Sequence, residues 1–316
     1  MAATAERRPA TSKPVSDVPL IATPPVEKRS AASSTERRAL AAVADMAAMI
    51  RKFAVLSCAR LSMFPIRDEI PSRTAPVVTW ALIAVNLLLF LYQQMLPEPA
   101  LYSFIYHFGL VPARITDPVW AVSVGLPPGG YLGFFTSMFL HGGWLHLFSN
   151  MWTLWIFGDN VEDRMGRGRF LFFYVLCGLL AAWVHWFVNT LSVVPTIGAS
   201  GAIAGVLGAY ILLYPHARVL TLVPIIVYPL FIHIPAIVYL GIWFVSQVLS
   251  GTMTIGRGEL AGGVAWWAHV GGFIAGVLLV KLLSPREPDQ LPGAAQHYVW
   301  DRLPPERSWR GTRPGY

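Results

Sequence analysis

The stretch Gly198–Tyr214, GASGAIAGVLGAYILLY, decides the fold class. From residue 202 onward it is apolar and uncharged, which predicts a helix that crosses a membrane. Ser200 opens this helix, and a hydroxyl between glycines has two interpretations. Together with Gly201, the residues Gly205 and Gly208 can form a small-residue face for close helix packing. Alternatively, Ser200 is a nucleophile whose neighbours are small so that a substrate carbonyl can reach it.

The composition extends this prediction to the whole chain. Its 316 residues are 55% hydrophobic and 13% charged, and the mean hydropathy is +0.52. A soluble domain has about twice that charged fraction, so the chain is predicted to cross the membrane several times. Cys58 and Cys177 lie far apart in the sequence and indicate neither a disulfide framework nor a metal site.

The apolar runs predict an all-α integral membrane protein with six transmembrane helices. A long connection between the first two spans, rich in aromatic residues and poor in charge, is expected to be a large extracytoplasmic loop at the membrane surface. The spans cover about residues 77–96, 145–158, 170–188, 199–214, 232–249 and 266–283.

Three regions are expected along the chain. Residues 1–75 form a basic, largely disordered cytoplasmic region, with a candidate amphipathic helix at about 36–62. A marginal cytosolic helix without a partner is an equal interpretation of that segment. Residues 76–283 form the membrane domain, and the charged, Pro-rich residues 284–316 form a disordered cytoplasmic tail.

The positive charge indicates topology rather than nucleic-acid binding. With both termini inside, only Arg114 and Arg257 of the 24 Lys and Arg residues fall on the outer side. This asymmetry is the positive-inside bias of membrane proteins. We therefore expect a multi-pass protein with both termini cytoplasmic and no nucleic acid among its partners. Six spans without an extra leading or trailing helix suit a bacterial inner membrane.

Polar side chains interrupt the outer ends of three spans. His146 and Asn150 lie one turn apart on the same face of the second span. Ser200 begins the fourth span, and His269 lies about one turn into the sixth. Intramembrane polar groups either hydrogen-bond neighbouring helices or mark functional sites, and both uses stay open at this point.

These residues have the chemistry of acyl transfer. His269 can take the proton of Ser200, while Asn150, His146 and a backbone N–H at the helix start can stabilise an oxyanion. A Ser–His dyad is predicted, because the outer half of each span lacks Asp and Glu. A metal site formed by His141 and His146 is disfavoured, because i, i+5 spacing puts the two on different faces of a helix.

Three motifs resemble those of the rhomboid intramembrane serine proteases, and they occur in the same order over about residues 77–283. They are HGGWLHLFSNM from His141 to Met151, GASG from Gly198 to Gly201, and AHVGGFIAG from Ala268 to Gly276. Residues 108–112 (FGLVP) and 158–163 (GDNVED) are also similar to segments of bacterial members.

The resemblance implies a role for each matching residue. Ser200 is expected to be the nucleophile and His269 its base, with His146 and Asn150 at the oxyanion. The motif residues His141, Gly198 and Gly201 are expected beside the site. No metal and no diffusible cofactor are implied.

The resemblance also implies the substrate class. Single-span membrane proteins would be cut near the outer end of their transmembrane segment, after a small residue, with access gated by the fifth helix and a capping loop. The lipid bilayer and these substrates are the expected partners.

One alternative is a non-catalytic rhomboid-like protein that binds membrane clients. A channel or transporter is another, and it would need polar groups on the inner side as well.

Two positions depart from the pattern of many rhomboids. Leu132-Gly133 replaces a Trp-Arg pair before the second helix, which leaves open how the first loop is held. Ala204 replaces an aromatic residue under the base, so the imidazole is expected to be held by another ring or less rigidly.

Overall fold

The computed structural model describes residues 63–225, 228–254 and 264–284, and six long helices dominate these ranges. Four of the six, α1, α3, α5 and α6, are long and apolar enough to cross a membrane. The chain is therefore a mostly helical membrane protein. The candidate helix at about 36–62 lies outside the described residues, as does the tail from residue 285. The helices are α1 (Val77–Met95), α2 (Trp144–Met165), α3 (Arg167–Val188), α4 (Ser200–Leu213), α5 (Ala236–Thr254) and α6 (Trp266–Leu283).

Helix α4 lies at the centre, and its residues 201–210 are all buried. It packs closely against α6 through glycines. A Cβ added at Gly276 would overlap the carbonyl oxygen of Gly205, and one added at Gly208 would overlap that of Phe273. On the α3 side, a Cβ at Gly205 would lie 2.5 Å from Cys177 Sγ. The small-residue packing predicted for this helix is therefore confirmed.

The prediction of an all-α fold is wrong in one respect, because the described residues also contain a three-stranded antiparallel sheet in the order β1-β2-β3. The strands are β1 (Phe64–Asp68), β2 (Arg218–Ile225) and β3 (Tyr228–Pro235). Val219, Thr221 and Val223 are buried while their neighbours are not, which is the period of a half-buried strand. The fifth helix consequently begins at Ala236, after Pro235 ends β3, and not at about residue 232.

Acidic residues at the end of α2 hold the chain that leads into α1. The Glu162 carboxylate accepts the backbone N–H groups of Val78 (3.0 Å) and Thr79 (2.8 Å). Pro76 offers no side-chain cap at the start of α1, so Glu162 supplies it from another helix. The Asp163 carboxylate likewise accepts hydrogen bonds from the backbone N–H and the hydroxyl of Thr74. The domain boundary at residue 76 stays a prediction, and in the structure ordered contacts extend before it.

A buried arginine holds the connection between α1 and α2. Arg114 is 4% exposed, and its guanidinium donates to the carbonyls of Tyr106 (2.8 Å), His107 (3.0 Å) and Pro127 (3.1 Å). This side chain therefore links residues 106 and 107 to residue 127 within the loop. The loop contains short helices at Glu98–Phe108, Pro112–Thr116, Pro118–Ser123 and Gly133–Thr136, and a 3-10 turn at Ser137–Phe139.

Candidate active site

Ser200 and His269 are in direct hydrogen-bond contact. Ser200 is the first residue of α4 and His269 lies one turn into α6, and the Oγ to Nε2 distance is 2.8 Å. Gly272, one turn further along α6, lies against the carbonyl of Gly201, where any Cβ would overlap it. The close approach of the two helices thus brings the hydroxyl against the imidazole.

Two potential donors lie beside the loop that precedes Ser200. A Cβ added at Gly198 would lie 2.7 Å from His146 Nε2 and 3.7 Å from Asn150 Nδ2. Gly198 has φ +128°, which a residue with a side chain rarely adopts. A glycine is therefore needed here for backbone conformation and for space, and both donors reach the backbone near the nucleophile.

The contacts of the two donors identify the nitrogen that each presents to the site. The N–H of Gly142 donates to His146 Nδ1 at 3.4 Å, which assigns the ring proton to Nε2, the nitrogen that faces Gly198. Asn150 is 6% exposed, and its Nδ2 has no hydrogen-bond partner among the described residues. A buried amide left unpaired costs stability, and a functional role is one established reason for such a group.

His141 and Gly201, predicted beside the site, are both buried. The His141 ring packs against that of His146 with centroids 5.2 Å apart. Gln93 of α1 fixes the backbone there, because its amide pairs with both the N–H and the carbonyl of His141. A Cβ at Gly201 would lie 2.8 Å from that of Ala181, so this position must remain small.

A cleft beside Ser200 is lined by small residues from three helices. Those of α3 and α4 meet two alanines at the start of α6, and larger residues such as Leu110 and Met138 close the other side. The cleft has a volume of about 30 Å³ and therefore has room for a small side chain only. Its small lining residues include Gly178, Ala181, Ala182, Gly201, Ala265 and Ala268.

Two residues of α5 that the sequence analysis did not select also contact His269. Gln247 Oε1 lies 2.8 Å from His269 Nδ1. The centroid of the Trp243 ring lies 5.8 Å from that of the imidazole, and the two rings are tilted by 34°, so a ring of α5 lies beside the base. Gln247 is a polar residue inside an apolar span, which is the signal that selected His146 and Asn150.

Fold and site together define a polytopic helical membrane protein with a serine–histidine pair at a helix start. The family model of the Rhomboid domain matches residues 128–286, half of the chain. The chain therefore belongs to the rhomboid family.

Similar proteins occur in organelles and in bacteria. "Rhomboid protein 1, mitochondrial" of Saccharomyces cerevisiae is 32% identical over 45% of this chain and 39% of its own length. "Rhomboid-like protein 11, chloroplastic" of Arabidopsis thaliana is 30% identical over 48% and 52%. "Putative rhomboid protease YdcA" of Bacillus subtilis is 30% identical over 35% and 58%. The chain thus spans between 39% and 58% of these relatives.

Proposed function

We propose that this chain is an intramembrane serine endopeptidase that cleaves single-span membrane proteins. The observation that carries the proposal is the 2.8 Å contact between Ser200 Oγ and His269 Nε2. Membership of the rhomboid family supports it.

In the proposed reaction, Ser200 Oγ attacks the carbonyl carbon of the scissile peptide bond and its proton passes to His269 Nε2. The tetrahedral intermediate collapses when His269 returns that proton to the leaving amine, and the acyl group stays on Ser200. A water molecule, deprotonated by the same imidazole, then attacks the acyl-enzyme. Hydrolysis releases the second product and restores the hydroxyl.

The developing oxyanion is stabilised by Asn150 Nδ2, His146 Nε2 and the backbone N–H of Ser200. The first N–H groups of a helix lack intrahelical partners and carry its positive dipole end, so the last donor is available. Loss of one such donor typically raises the barrier by about 3 kcal/mol.

The substrate is a transmembrane segment with a small residue before the scissile bond. The cleft beside Ser200 supports this choice, because its small volume leaves no room for a large side chain. We further propose that all six long helices cross the membrane, with both termini cytoplasmic and Ser200 near the outer surface. The distribution of Lys and Arg supports this orientation.

Cleavage of a single-span reporter by the purified protein in liposomes tests the function. Ser200→Ala and His269→Ala are each expected to abolish cleavage while the protein still inserts and folds. Ser103→Ala is the matched control, because Ser103 also lies near a histidine, His107, with Oγ 3.4 Å from Nδ1, but on an exposed helix. Binding of the reporter without cleavage by the wild-type protein would favour the client-binding alternative.

A further inference from the structure

The base of the proposed dyad has a second partner on a third helix. His269 uses Nε2 for Ser200 and Nδ1 for Gln247 Oε1, each at 2.8 Å. Gln247 belongs to α5 and is 6% exposed. A side chain so deeply buried at this position is held by its hydrogen bonds, and these bonds determine which way the amide points.

The contacts of the Gln247 nitrogen assign the orientation of its amide. Nε2 donates to the backbone carbonyl of Trp243 at 3.2 Å and to Ser246 Oγ at 2.9 Å. A carbonyl oxygen can only accept, so the amide nitrogen must lie on that side and Oε1 must face His269. In the reverse orientation, Oε1 would face the carbonyl oxygen of Trp243. The amide protons would then lose both the Trp243 carbonyl and Ser246 Oγ as acceptors.

An acceptor at Nδ1 decides the tautomer of His269. Oε1 can only accept, so the ring proton resides on Nδ1, and Nε2 presents its lone pair to the hydroxyl of Ser200. This is the protonation state that a general base needs. The opposite tautomer would donate its Nε2 proton to the serine oxygen and could not remove the serine proton.

We propose that Gln247 is a positioning residue that fixes the productive tautomer and orientation of His269, so that the site works as a Ser–His–Gln triad. This inference rests on the proposed function. During acylation the serine proton moves to Nε2, while Nδ1 keeps its own proton and donates it in the hydrogen bond to Oε1 throughout. An amide is suited to this depth, because an ionised carboxylate would be costly to hold there. The Trp243 ring lies beside the imidazole and limits the rotation of the His269 ring.

The test compares three variants of α5 in the full chain, reconstituted in liposomes with a single-span reporter. Gln247→Met keeps the side-chain volume but removes the acceptor, and kcat is expected to fall by about 10- to 100-fold with little change in KM. Gln247→Glu, as the neutral acid that this depth favours, keeps an accepting oxygen at the Nδ1 position and is expected to regain most of that loss. Thr252→Val, an exposed polar-to-apolar change on the same helix, is expected to retain wild-type activity.

A second readout reports the tautomer directly. In nitrogen NMR spectra of His269, the wild-type protein is expected to carry its proton on Nδ1, and Gln247→Met is expected to shift the population toward Nε2. If Gln247 had only a structural role, Gln247→Met would leave the tautomer of His269 unchanged. In that case Gln247→Glu would lose more activity than Gln247→Met.

The outcomes separate this inference from the function on which it rests. Wild-type cleavage with an inactive Ser200→Ala variant, but a fully active Gln247→Met variant, would overturn the role of Gln247 alone. An inactive wild-type protein would overturn the proposed function. In that case the NMR measurement still decides whether Gln247 sets the tautomer, and a wild-type proton on Nε2 would refute it.

Discussion

Replacing Asp68 by asparagine is expected to stabilise the protein near neutral pH and to leave it unchanged in acid. Asp68 ends β1, and its Oδ2 accepts hydrogen bonds from Tyr210 Oη (2.5 Å) and Asn160 Nδ2 (2.7 Å). Burial raises the pKa of this carboxyl from 3.8 to about 7, which is the net result after the Tyr210 hydrogen bond lowers it and the nearby charge of Asp159 raises it. The folded protein therefore prefers the protonated form.

The sign and size of the effect follow from this shift. Between the unfolded pKa of 3.8 and the folded pKa of about 7, the folded state binds more protons than the unfolded state. Stability is therefore highest below the lower value and falls as pH rises through the upper one. At 1.36 kcal/mol per pKa unit, the loss above neutrality reaches about 4 kcal/mol. Asp68→Asn resembles the protonated acid and escapes this loss.

The measurement is the free energy of unfolding of both proteins in mixed micelles across this pH range. The difference between Asp68→Asn and wild type is expected to grow from near zero at about pH 4 to about 4 kcal/mol at about pH 8. Glu98→Gln, at an exposed carboxyl, is the control and should show no such growth. A difference that stays constant with pH would refute the assignment of Asp68 as a partly buried acid that is protonated below about pH 7.

Two further predictions concern packing and the first loop. Arg114→Met should lower the free energy of unfolding by about 3 kcal/mol, because the carbonyls of Tyr106, His107 and Pro127 lose a charged donor. The exposed Arg169→Met should have little effect on thermal unfolding. Equal melting temperatures for the two would contradict the role of Arg114. Gly276→Ala should cost about 1–3 kcal/mol and reduce reporter cleavage, because its Cβ overlaps the Gly205 carbonyl and separates α4 from α6. Gly241→Ala, with open space around it, is the control, and equal activities would exclude this coupling.

The predicted position of each polar residue along its membrane span was enough to predict which of them lie together. The positions of His146, Asn150, Ser200 and His269 in their spans are readable from charge and hydropathy, and the structure brings all four to the same end of the helices. Their catalytic roles stay predictions. The glycines of α4 likewise follow a readable pattern, because close helix packing needs small residues at regular spacing.

What the sequence could not reveal depends on contacts between distant segments. Strand β1 pairs with β2 across about 150 residues, and the prolines around β2 and β3 look like breaks in a helix rather than strand ends. Arg114 reaches carbonyls that no local pattern associates with it. Gln247 carries the same intramembrane signal as the selected residues, but its partner on α6 follows only from how α5 packs.

The most direct test of the central claim is covalent labelling of the native protein with a fluorophosphonate, mapped by mass spectrometry. Because Ser200 is activated only through His269, the wild-type protein is predicted to carry the adduct on Ser200. The His269→Ala variant is predicted to carry none. The same labelling rate at Ser200 in both proteins, or the lack of an adduct on Ser200 in the wild type, would contradict a serine protease at this site.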